Sequence, residues 1–435
     1  MIKIRNYPKP IAKRKELISW CLYDWANSAF PTVIITFVFA AYFTNSVAED
    51  PTRGTTLWGN AISLSAFAVA ISGPFLGAIA DHSGHHKRWL FLFTLLTAFG
   101  AMMLWTVEPN LNDIIYGLFW IALANFGFEL SMVFYNAMLP LLAPVNQLGR
   151  WSGWGWGIGY IGGLACLSIV LVMFIQPEAP MFSLNKDAAE ELRITGPFVA
   201  TWMLIFSLPL FLLFPETDGN ENRLSTAIRK GLKSLFKTIK QLPRYKGIVW
   251  FLTARMFYTD GLNTLLAFGG IYAAGTFGLS FQDLIFFGIS INLIAGVGAI
   301  IFAWVDDWLG PKIVIILGVG GLALFGGALL VVESQKLFWA FGLPLGIFVG
   351  PIQSASRSLM AHMAPPSMRM EFFGLYALSG KATAFLAPAL LAWTTAAFDS
   401  QRAGMSTLII FLLLGMTLMI KVPALNYCIP SSLKP

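Results

Sequence analysis

The chain has 435 residues, of which 57% are apolar and only 12% are charged, and its formal net charge at pH 7 is +7. Soluble domains are about 45–50% apolar and about 25% charged, so this chain has too little polar surface to cover a soluble globule of its length. The composition therefore excludes a soluble protein and predicts a polytopic helical membrane protein. The three cysteines are scattered and form no CxxC pair, so we predict neither a disulfide framework nor a metal site.

The apolar segments predict twelve membrane-spanning helices. A bilayer core of ~30 Å requires roughly 20 apolar residues per helix. The first apolar segment follows a basic tail and has no small-residue cleavage site, so we interpret it as a span rather than a signal peptide. In chain order the predicted spans are 18–44, 57–80, 89–107, 113–139, 152–175, 197–214, 247–274, 282–305, 312–332, 336–362, 372–397 and 404–424.

An even number of spans places both termini on the same side of the membrane. Most Lys and Arg residues fall on that side, in the N-terminal tail and above all in the central loop 215–246. Because cytoplasmic loops carry the excess of Lys and Arg in membrane proteins, we predict that both termini and this loop are cytoplasmic. The absence of long loop insertions favours a bacterial inner membrane over a vacuole membrane.

The central loop divides the chain into an N-terminal half, residues 1–214, and a C-terminal half, residues 247–435. Its segment 224–242 has cations between apolar residues at helical spacing, namely Leu224, Ile228, Leu232, Leu235, Phe236 and Ile239. This pattern predicts an amphipathic helix on the anionic surface of the membrane. We predict no nucleic-acid partner, because cations in membrane proteins concentrate in cytoplasmic loops.

Two turn motifs recur at equivalent places in the two halves. The segments Gly77–Arg88 and Ala303–Lys312 each lie between two apolar runs and carry an acid, a glycine three residues later, and then cations. Further positions match in the same order, the pairs being Asp24 and Asp260, Asp81 and Asp307, Pro144 and Pro365, Gly153 and Gly374, and Gly159 and Gly380. This repetition predicts two six-helix halves in parallel orientation, with a substrate site between them.

The turn residues Asp81, Gly84, Arg88 and Asp307 are candidates for conformational gating. They lie at the membrane edge, and we predict that they hold the halves together when the protein is open to the outside and separate when the inner side opens. The alternative is that they are ordinary turn residues.

Six ionisable side chains fall within the predicted spans: Asp24, Glu129, Arg255, Asp260, Arg357 and Lys381. A charge at the bilayer centre costs about 2.5–3.5 kcal/mol on insertion scales, so such residues face a wet cavity or each other rather than lipid. Neighbouring amides extend this set on the same helices: Asn27, Asn125, Asn263 and Gln353. Two readings remain open: the charges bind a solute or carry protons, or they pair with each other and only hold the bundle together. Asp24, near the cytoplasmic end, has gating as a further alternative.

The motif Gly77–Arg88 resembles the cytoplasmic signature of major facilitator superfamily transporters, although Ala303 stands where the second copy usually has glycine. Four other segments resemble the family of autophagy-related vacuolar amino-acid effluxers and their bacterial relatives: Leu22–Phe30, Ala254–Gly261, Ser356–Ser358 and Glu371–Tyr376. The resemblance implies an all-α membrane fold of twelve transmembrane helices in two pseudo-symmetric halves. It also implies that the first, fourth, seventh and tenth helices line the cavity, and that the function is export of small solutes such as amino acids.

We therefore expect a secondary active transporter of a small polar solute that works by alternating access, without a cofactor, as a monomer in the bilayer. The acids in the spans motivate coupling to protons. One alternative is a transporter-derived receptor or scaffold without solute flux. Another is a membrane enzyme built on His82, His85 and His86, which we interpret instead as residues of a solvated loop.

Overall fold

The computed structural model describes residues 13–48, 50–177, 184–214 and 224–424. All regular secondary structure in these ranges is helical, which confirms the all-α prediction. Ten helices among the described residues are long and apolar enough to cross a membrane. Large apolar side chains such as Phe67, Ile115 and Leu212 are more than half exposed on the outer surface. A soluble protein would rarely present so much apolar surface, whereas a bilayer covers it.

Within the described part of residues 13–214, the chain forms six long helices. They are α1 (Arg14–Asn27), α2 (Pro51–Ser83), α3 (His86–Met103), α4 (Ile114–Leu142), α5 (Leu148–Val170) and α6 (Thr195–Leu213). The first span continues beyond α1 to Val47 through π-helical turns and a short α-helical segment. Pro31 lies in the first of these turns, and its missing N–H and its ring prevent a regular α-helix there.

The described residues of the C-terminal part, 224–424, form eight α-helices. They are α7 (Leu224–Gln241), α8 (Lys246–Phe277), α9 (Phe281–Leu309), α10 (Pro311–Val331), α11 (Gln335–Met363), α12 (Arg369–Ser379), α13 (Leu386–Phe398) and α14 (Gln401–Ile420). Helix α8 occupies the predicted seventh span and carries Arg255 and Asp260 within it. Helices α12 and α13 replace the single eleventh span that the sequence predicts, because the helix is interrupted at 380–385. The observed helices are consistent with twelve membrane crossings.

Glycine ends the second helix at the predicted turn. Gly84 has a φ of 72°, in the left-handed region, and its N–H donates to the Ala80 carbonyl at 2.9 Å. A residue with a Cβ is strained in this conformation, so glycine is the residue that allows α2 to stop and α3 to begin two residues later.

Two main sets of contacts join the membrane-spanning helices of the N-terminal and C-terminal parts. Helix α5 packs against α9 and α11, and α2 packs against α12. The α5–α9 contact is close because Gly153 has no side chain; a Cβ there would lie 2.5 Å from the Ala299 carbonyl oxygen. Small residues permit such close approach of membrane helices. The polar residues described next lie between these two sets of contacts.

Candidate solute cavity and gate contacts

A polar cavity of about 210 Å³ lies where α4, α8, α11 and α12 meet. Six of the residues that the sequence singled out line it: Glu129, Arg255, Asn263, Gln353, Arg357 and Lys381. The fourth, seventh and tenth spans therefore contribute to its wall, together with the interrupted eleventh. Aromatic side chains complete the lining, among them Phe128, Trp156 and Tyr376.

Glu129 and Lys381 form an ion pair at the cavity wall. The Lys381 Nζ lies 2.7 Å from Glu129 Oε1, which joins α4 to the segment that interrupts the eleventh span. About a quarter of each side chain is exposed, 26% for Lys381 and 22% for Glu129. A pair that still contacts water can exchange its partners for those of a solute at a modest energetic cost, since much of its solvation is retained.

Arg357 is the most buried charge of the set, with 1% of its side chain exposed. Its Nη1 lies 3.1 Å from Asp24 Oδ2 and donates to Asn136 Oδ1 at 3.2 Å. Its Nε donates to the Ser152 hydroxyl at 2.9 Å, and its Nη2 donates to the Ser152 carbonyl at 2.7 Å. The guanidinium of Arg357, on α11, thus forms hydrogen bonds with residues of three N-terminal helices, α1, α4 and α5.

Aromatic rings surround the same guanidinium. Its central carbon lies 4.7 Å from the ring centroid of Trp20, 5.5 Å from that of Tyr135 and 5.7 Å from that of Trp156. Each ring face attracts a cation, and a desolvated contact of this kind is worth about 2 kcal/mol. Sequence reasoning did not identify these rings or Ser152, although Trp20 lies one helical turn before Asp24 and shares its face.

Arg255 and Asp260 of α8 bind the two ends of the interrupted helix. The Arg255 Nη1 donates to the Tyr376 carbonyl at 2.7 Å and to the Ser379 hydroxyl at 3.0 Å, at the end of α12. Asp260 Oδ2 accepts the Ala387 N–H at 3.2 Å, at the start of α13. A cation at a helix C-terminus and an anion at an N-terminus both match the helix dipole. These contacts stabilise an interruption that would otherwise leave backbone groups unsatisfied in the bilayer.

The two carboxylates Asp24 and Asp260 are both buried but differ in their partners. Asp24 faces Arg357, whereas Asp260 Oδ1 has no hydrogen-bond partner and no ion pair involves Asp260 among the described residues. Neither residue lines the polar cavity. Asp260 is 2% exposed, so an ionised carboxylate at this position has little compensation.

The remaining predicted amides have varied surroundings. Asn125 donates to the Ser65 hydroxyl at 3.0 Å and so ties α4 to α2, away from the polar cavity. The Asn27 side chain contacts the Met132 sulfur at 2.7 Å. Gln353 accepts the Tyr160 hydroxyl at 2.6 Å. Tyr160 also lines a second, mostly apolar cavity of about 370 Å³ among α8, α9, α10, α11 and α14.

The predicted gate residue Asp81 contacts the C-terminal helices. Its Oδ1 accepts the Met370 N–H at 3.1 Å and its Oδ2 accepts the Glu371 N–H at 2.9 Å, both in the first turn of α12. Gly77, one turn earlier, faces the Met370 carbonyl so closely that any Cβ would collide with it. The end of α2 is therefore bonded to the start of α12.

Asp307 makes the equivalent contact in the other direction. Its Oδ1 accepts the Arg150 N–H at 3.1 Å in the first turn of α5, and the Arg150 Nε lies 3.4 Å from its Oδ2. In both cases an acid at the end of one helix binds the N-terminal turn of a helix from the other half, where the helix dipole favours a negative charge. The sequence match of Asp81 and Asp307 corresponds to matching contacts in three dimensions.

The cations of the two turn motifs also correspond. The Lys87 Nζ donates to the Phe211 and Phe214 carbonyls, at 3.1 and 2.9 Å, at the end of α6. The Lys312 Nζ donates to the Ile420 and Val422 carbonyls, at 3.0 and 2.6 Å, at the end of α14. Arg88 lies exposed at the start of α3. Each lysine thus caps the last helix of its own half.

The helix arrangement is shared with transporters of known structure. FucP, a major facilitator superfamily transporter in the outward conformation, aligns with a TM-score of 0.74 at 12% identity over 95% of this chain and 100% of that chain. The proton:xylose symporter XylE bound to 6-bromo-6-deoxy-D-glucose aligns with a TM-score of 0.71 at 15% identity, over 94% of this chain and 95% of that chain. At these identities the likeness shows the fold, which is the major facilitator fold that the sequence predicts.

The family model described as "Vacuole effluxer Atg22 like" matches residues 52–426. The chain belongs to this family, as the four sequence segments indicate, and it is a multi-pass membrane transporter rather than an enzyme. The MFS-type transporter YxiO of Bacillus subtilis (strain 168) is 27% identical over 412 residues, which are 94% of this chain and 95% of that protein. Autophagy-related protein 22 of Botryotinia fuckeliana (strain B05.10) is 23% identical over 429 residues; the alignment covers 76% of this chain and 62% of the fungal protein.

Proposed function

We propose that this transporter exports a small zwitterionic solute, of the amino-acid class, by alternating access between its two halves. The observation that carries the proposal is the polar cavity, whose lining includes one carboxylate, Glu129, and three cations, Arg255, Arg357 and Lys381. Glu129 suits a solute ammonium group, and Lys381 and Arg255 suit a carboxylate. The exchangeable Glu129–Lys381 pair provides charges of both signs without leaving a bare ion when the solute departs.

The size of the polar cavity supports a small solute. Pockets for drug-sized ligands measure about 300–1,000 Å³, and this cavity measures about 210 Å³. The direction of transport is supported by the description of the family as vacuole effluxers and by the autophagy-related names of the fungal relatives. These names describe those proteins, and for this chain export is a proposal.

We propose that the Asp81 and Asp307 contacts are the gate of the transporter, and we call them the gate below. Both contacts are formed, so the bundle is closed at the end where they lie. Opening that end requires the N-terminal half, residues 1–214, to move away from the C-terminal half, residues 247–435. In the proposed orientation this end faces the cytoplasm, with both termini on the same side, in a bacterial inner membrane.

Proton coupling is proposed to use Asp260. Asp24 and Glu129 each have a cationic partner, and Asp260 has none among the described residues. A buried carboxylate without a cation is more stable when it carries a proton. Because Asp260 also accepts a backbone N–H at the start of α13, its ionisation strengthens the hold of α8 on the interrupted helix, and its protonation weakens that hold.

A thermal-shift screen of the purified protein against amino acids, peptides, sugars and nucleosides tests the solute class. We expect an amino acid to raise the unfolding temperature, and the shift to disappear in Glu129→Gln. Glu333→Gln, which removes an exposed carboxylate, is the matched control and should keep the shift. A ligand from another class, or a shift that survives in Glu129→Gln, would contradict the proposed site.

Flux in proteoliposomes tests transport itself. We expect the amino acid found in the screen to be carried, with a rate that responds to an imposed pH gradient. Ligand binding without any flux would favour the alternative of a transporter-derived receptor or scaffold.

A further inference from the structure

The amphipathic helix α7 is packed onto the gate end of the bundle. Ala227, Leu235 and Thr238 are at most 2% exposed and lie on the face of α7 that contacts α2. Gly231 lies at the centre of this contact, where a Cβ would be 2.9 Å from the Ile79 Cα. Ile79 is two residues from Asp81, so α7 rests on the part of α2 that forms the gate.

The same helix also contacts the opposite side of the gate. The Ser234 hydroxyl donates to Glu371 Oε2 at 3.3 Å, and the Glu371 N–H donates to Asp81. Helix α7 is therefore bonded to α12 while it packs against α2. Separation of α2 from α12 must break one of these two contacts.

A second apolar face of α7 has no cover in the described chain. Ile228, Phe236 and Ile239 are 38%, 66% and 49% exposed, respectively. At about 100° per residue, these side chains project roughly a fifth to two fifths of a turn away from the packed face. The apolar residues of α7 are thus divided between one face that contacts the protein and another that does not.

The third face of α7 is basic. Five exposed cations occupy it, namely Arg229, Lys230, Lys233, Lys237 and Lys240, and the segment 224–241 contains no Asp or Glu. An exposed apolar strip beside a row of cations is the pattern of a helix that lies in the interface of an anionic membrane. Its position at the end of a membrane-spanning bundle places it within reach of the lipid headgroups.

We propose that α7 docks on the anionic leaflet through this apolar strip and its five cations, and that docking stabilises the closed gate. The strip, Ile228, Phe236 and Ile239, enters the acyl boundary while the cations meet lipid phosphates. Because docked α7 keeps its contacts with Ile79 and Glu371, anionic lipid favours the state in which α2 and α12 remain together. This inference rests on the gate assigned in the proposed function.

The docking step is tested with a spin label on the full-length protein. A label at Phe236→Cys, with Cys21, Cys166 and Cys428 replaced by alanine, is compared in vesicles of phosphatidylcholine alone and of phosphatidylcholine mixed with phosphatidylglycerol. We expect collisions with oxygen to increase and collisions with a water-soluble nickel complex to decrease when phosphatidylglycerol is present. A label at Glu333→Cys, an exposed position outside α7, should be equally accessible to the nickel complex in both kinds of vesicle.

Equal accessibility of the Phe236 label in both kinds of vesicle would overturn docking on anionic lipid. A Phe236 label that is shielded from the nickel complex to the same extent in both kinds of vesicle would also overturn it. That result would indicate another cover, such as an acidic protein or an apolar surface of a second copy. Each Lys near an anionic surface contributes about a fivefold change in the docking equilibrium. We therefore expect Lys233→Gln to reduce the docked fraction measurably, and Lys336→Gln, at an exposed position on another helix, to leave it unchanged.

The effect on the gate is measured without any solute, so that it is independent of the proposed substrate. Spin labels at Asn146→Cys and Ser367→Cys, exposed positions in the short turns before α5 and α12, report the distance across the gate end by pulsed electron paramagnetic resonance. We expect phosphatidylglycerol to increase the short-distance population. Replacement of all five cations by glutamine should remove this dependence on lipid. A distance distribution that is the same in both lipids would refute the effect on gating, even if solute transport is later demonstrated.

Discussion

Asp24→Asn isolates the contribution of one buried charge. The substitution keeps the shape of the side chain and an oxygen that can accept from Arg357, but it removes the negative charge. Arg357 is 1% exposed and Asp24 is 5% exposed, so the guanidinium cannot recover solvation when its counter-ion is lost. Removing one partner of a buried ion pair costs about 3–5 kcal/mol. Aromatic and hydroxyl contacts of Arg357 remain, so we expect a value near the lower end of this range.

The ion pair in the polar cavity provides the comparison. Lys381 and Glu129 are about a quarter exposed, so water screens either charge when the other is removed. An exposed pair is worth about 1 kcal/mol or less. Glu129→Gln should therefore destabilise the protein several-fold less than Asp24→Asn, although we expect it to abolish solute binding. The comparison distinguishes a charge that stabilises the helix bundle from a charge that binds the solute.

The assay is the temperature at which half of the purified protein is lost from the monodisperse peak in size-exclusion chromatography after heating in detergent. We expect a much lower temperature for Asp24→Asn than for Glu129→Gln. The double variant Asp24→Leu with Arg357→Met should recover part of the loss, because an apolar pair of similar volume replaces a buried ion pair at little cost. Equal temperatures for the two single variants, or a double variant less stable than Asp24→Asn alone, would refute the reasoning.

Other predictions concern the coupling acid and the gate. Asp260→Asn keeps an acceptor for the backbone N–H but cannot titrate, so we expect the rate of solute flux to be independent of an imposed pH gradient. A normal response to the gradient would exclude Asp260 as the coupling acid. Gly77→Ala places a methyl group against the Met370 carbonyl, so the gate should stay open. The measurement is the rate at which a membrane-impermeant thiol reagent labels a cysteine introduced at Gln353 in the polar cavity, and we expect this rate to rise. Asp307→Asn weakens a contact to the partly exposed Arg150 side chain, and such a contact is worth about 1 kcal/mol or less. We therefore expect only a modest increase in the labelling rate. An unchanged labelling rate in both variants would contradict the assigned gate.

The sequence alone determined the class of the molecule and the location of its charged residues. Hydropathy is a local property, so the approximate positions of the apolar segments follow from a window of about twenty residues. The repeated turn motif identified the ends of α2 and α9 because its acid and glycine are required at fixed spacing. The structure adds that each acid binds the first turn of a helix from the other half, at Met370 and Arg150.

The tertiary structure decided which partner each charge inside the membrane contacts. From the sequence, Arg255, Arg357 and Lys381 are equivalent cations in apolar helices. In the folded chain Arg357 meets Asp24, Lys381 meets Glu129, and Arg255 donates to the Tyr376 carbonyl and the Ser379 hydroxyl. These partners are far apart along the chain, and no local pattern specifies which of them approach each other. Only helix packing sets the distances and the burial that distinguish the buried Asp24–Arg357 pair from the partly exposed Glu129–Lys381 pair.

The interruption of the eleventh span also required the structure. The segment 372–397 is apolar and long enough for one helix, and hydropathy does not report whether its backbone hydrogen bonds are continuous. Arg255 and Asp260 of α8 supply the donor and acceptor that the interrupted ends need, at Tyr376 and Ala387. The sequence thus determined that charges lie in the membrane. Packing decided what each of them satisfies, because a buried charge is stabilised only by groups that the fold brings within hydrogen-bonding distance.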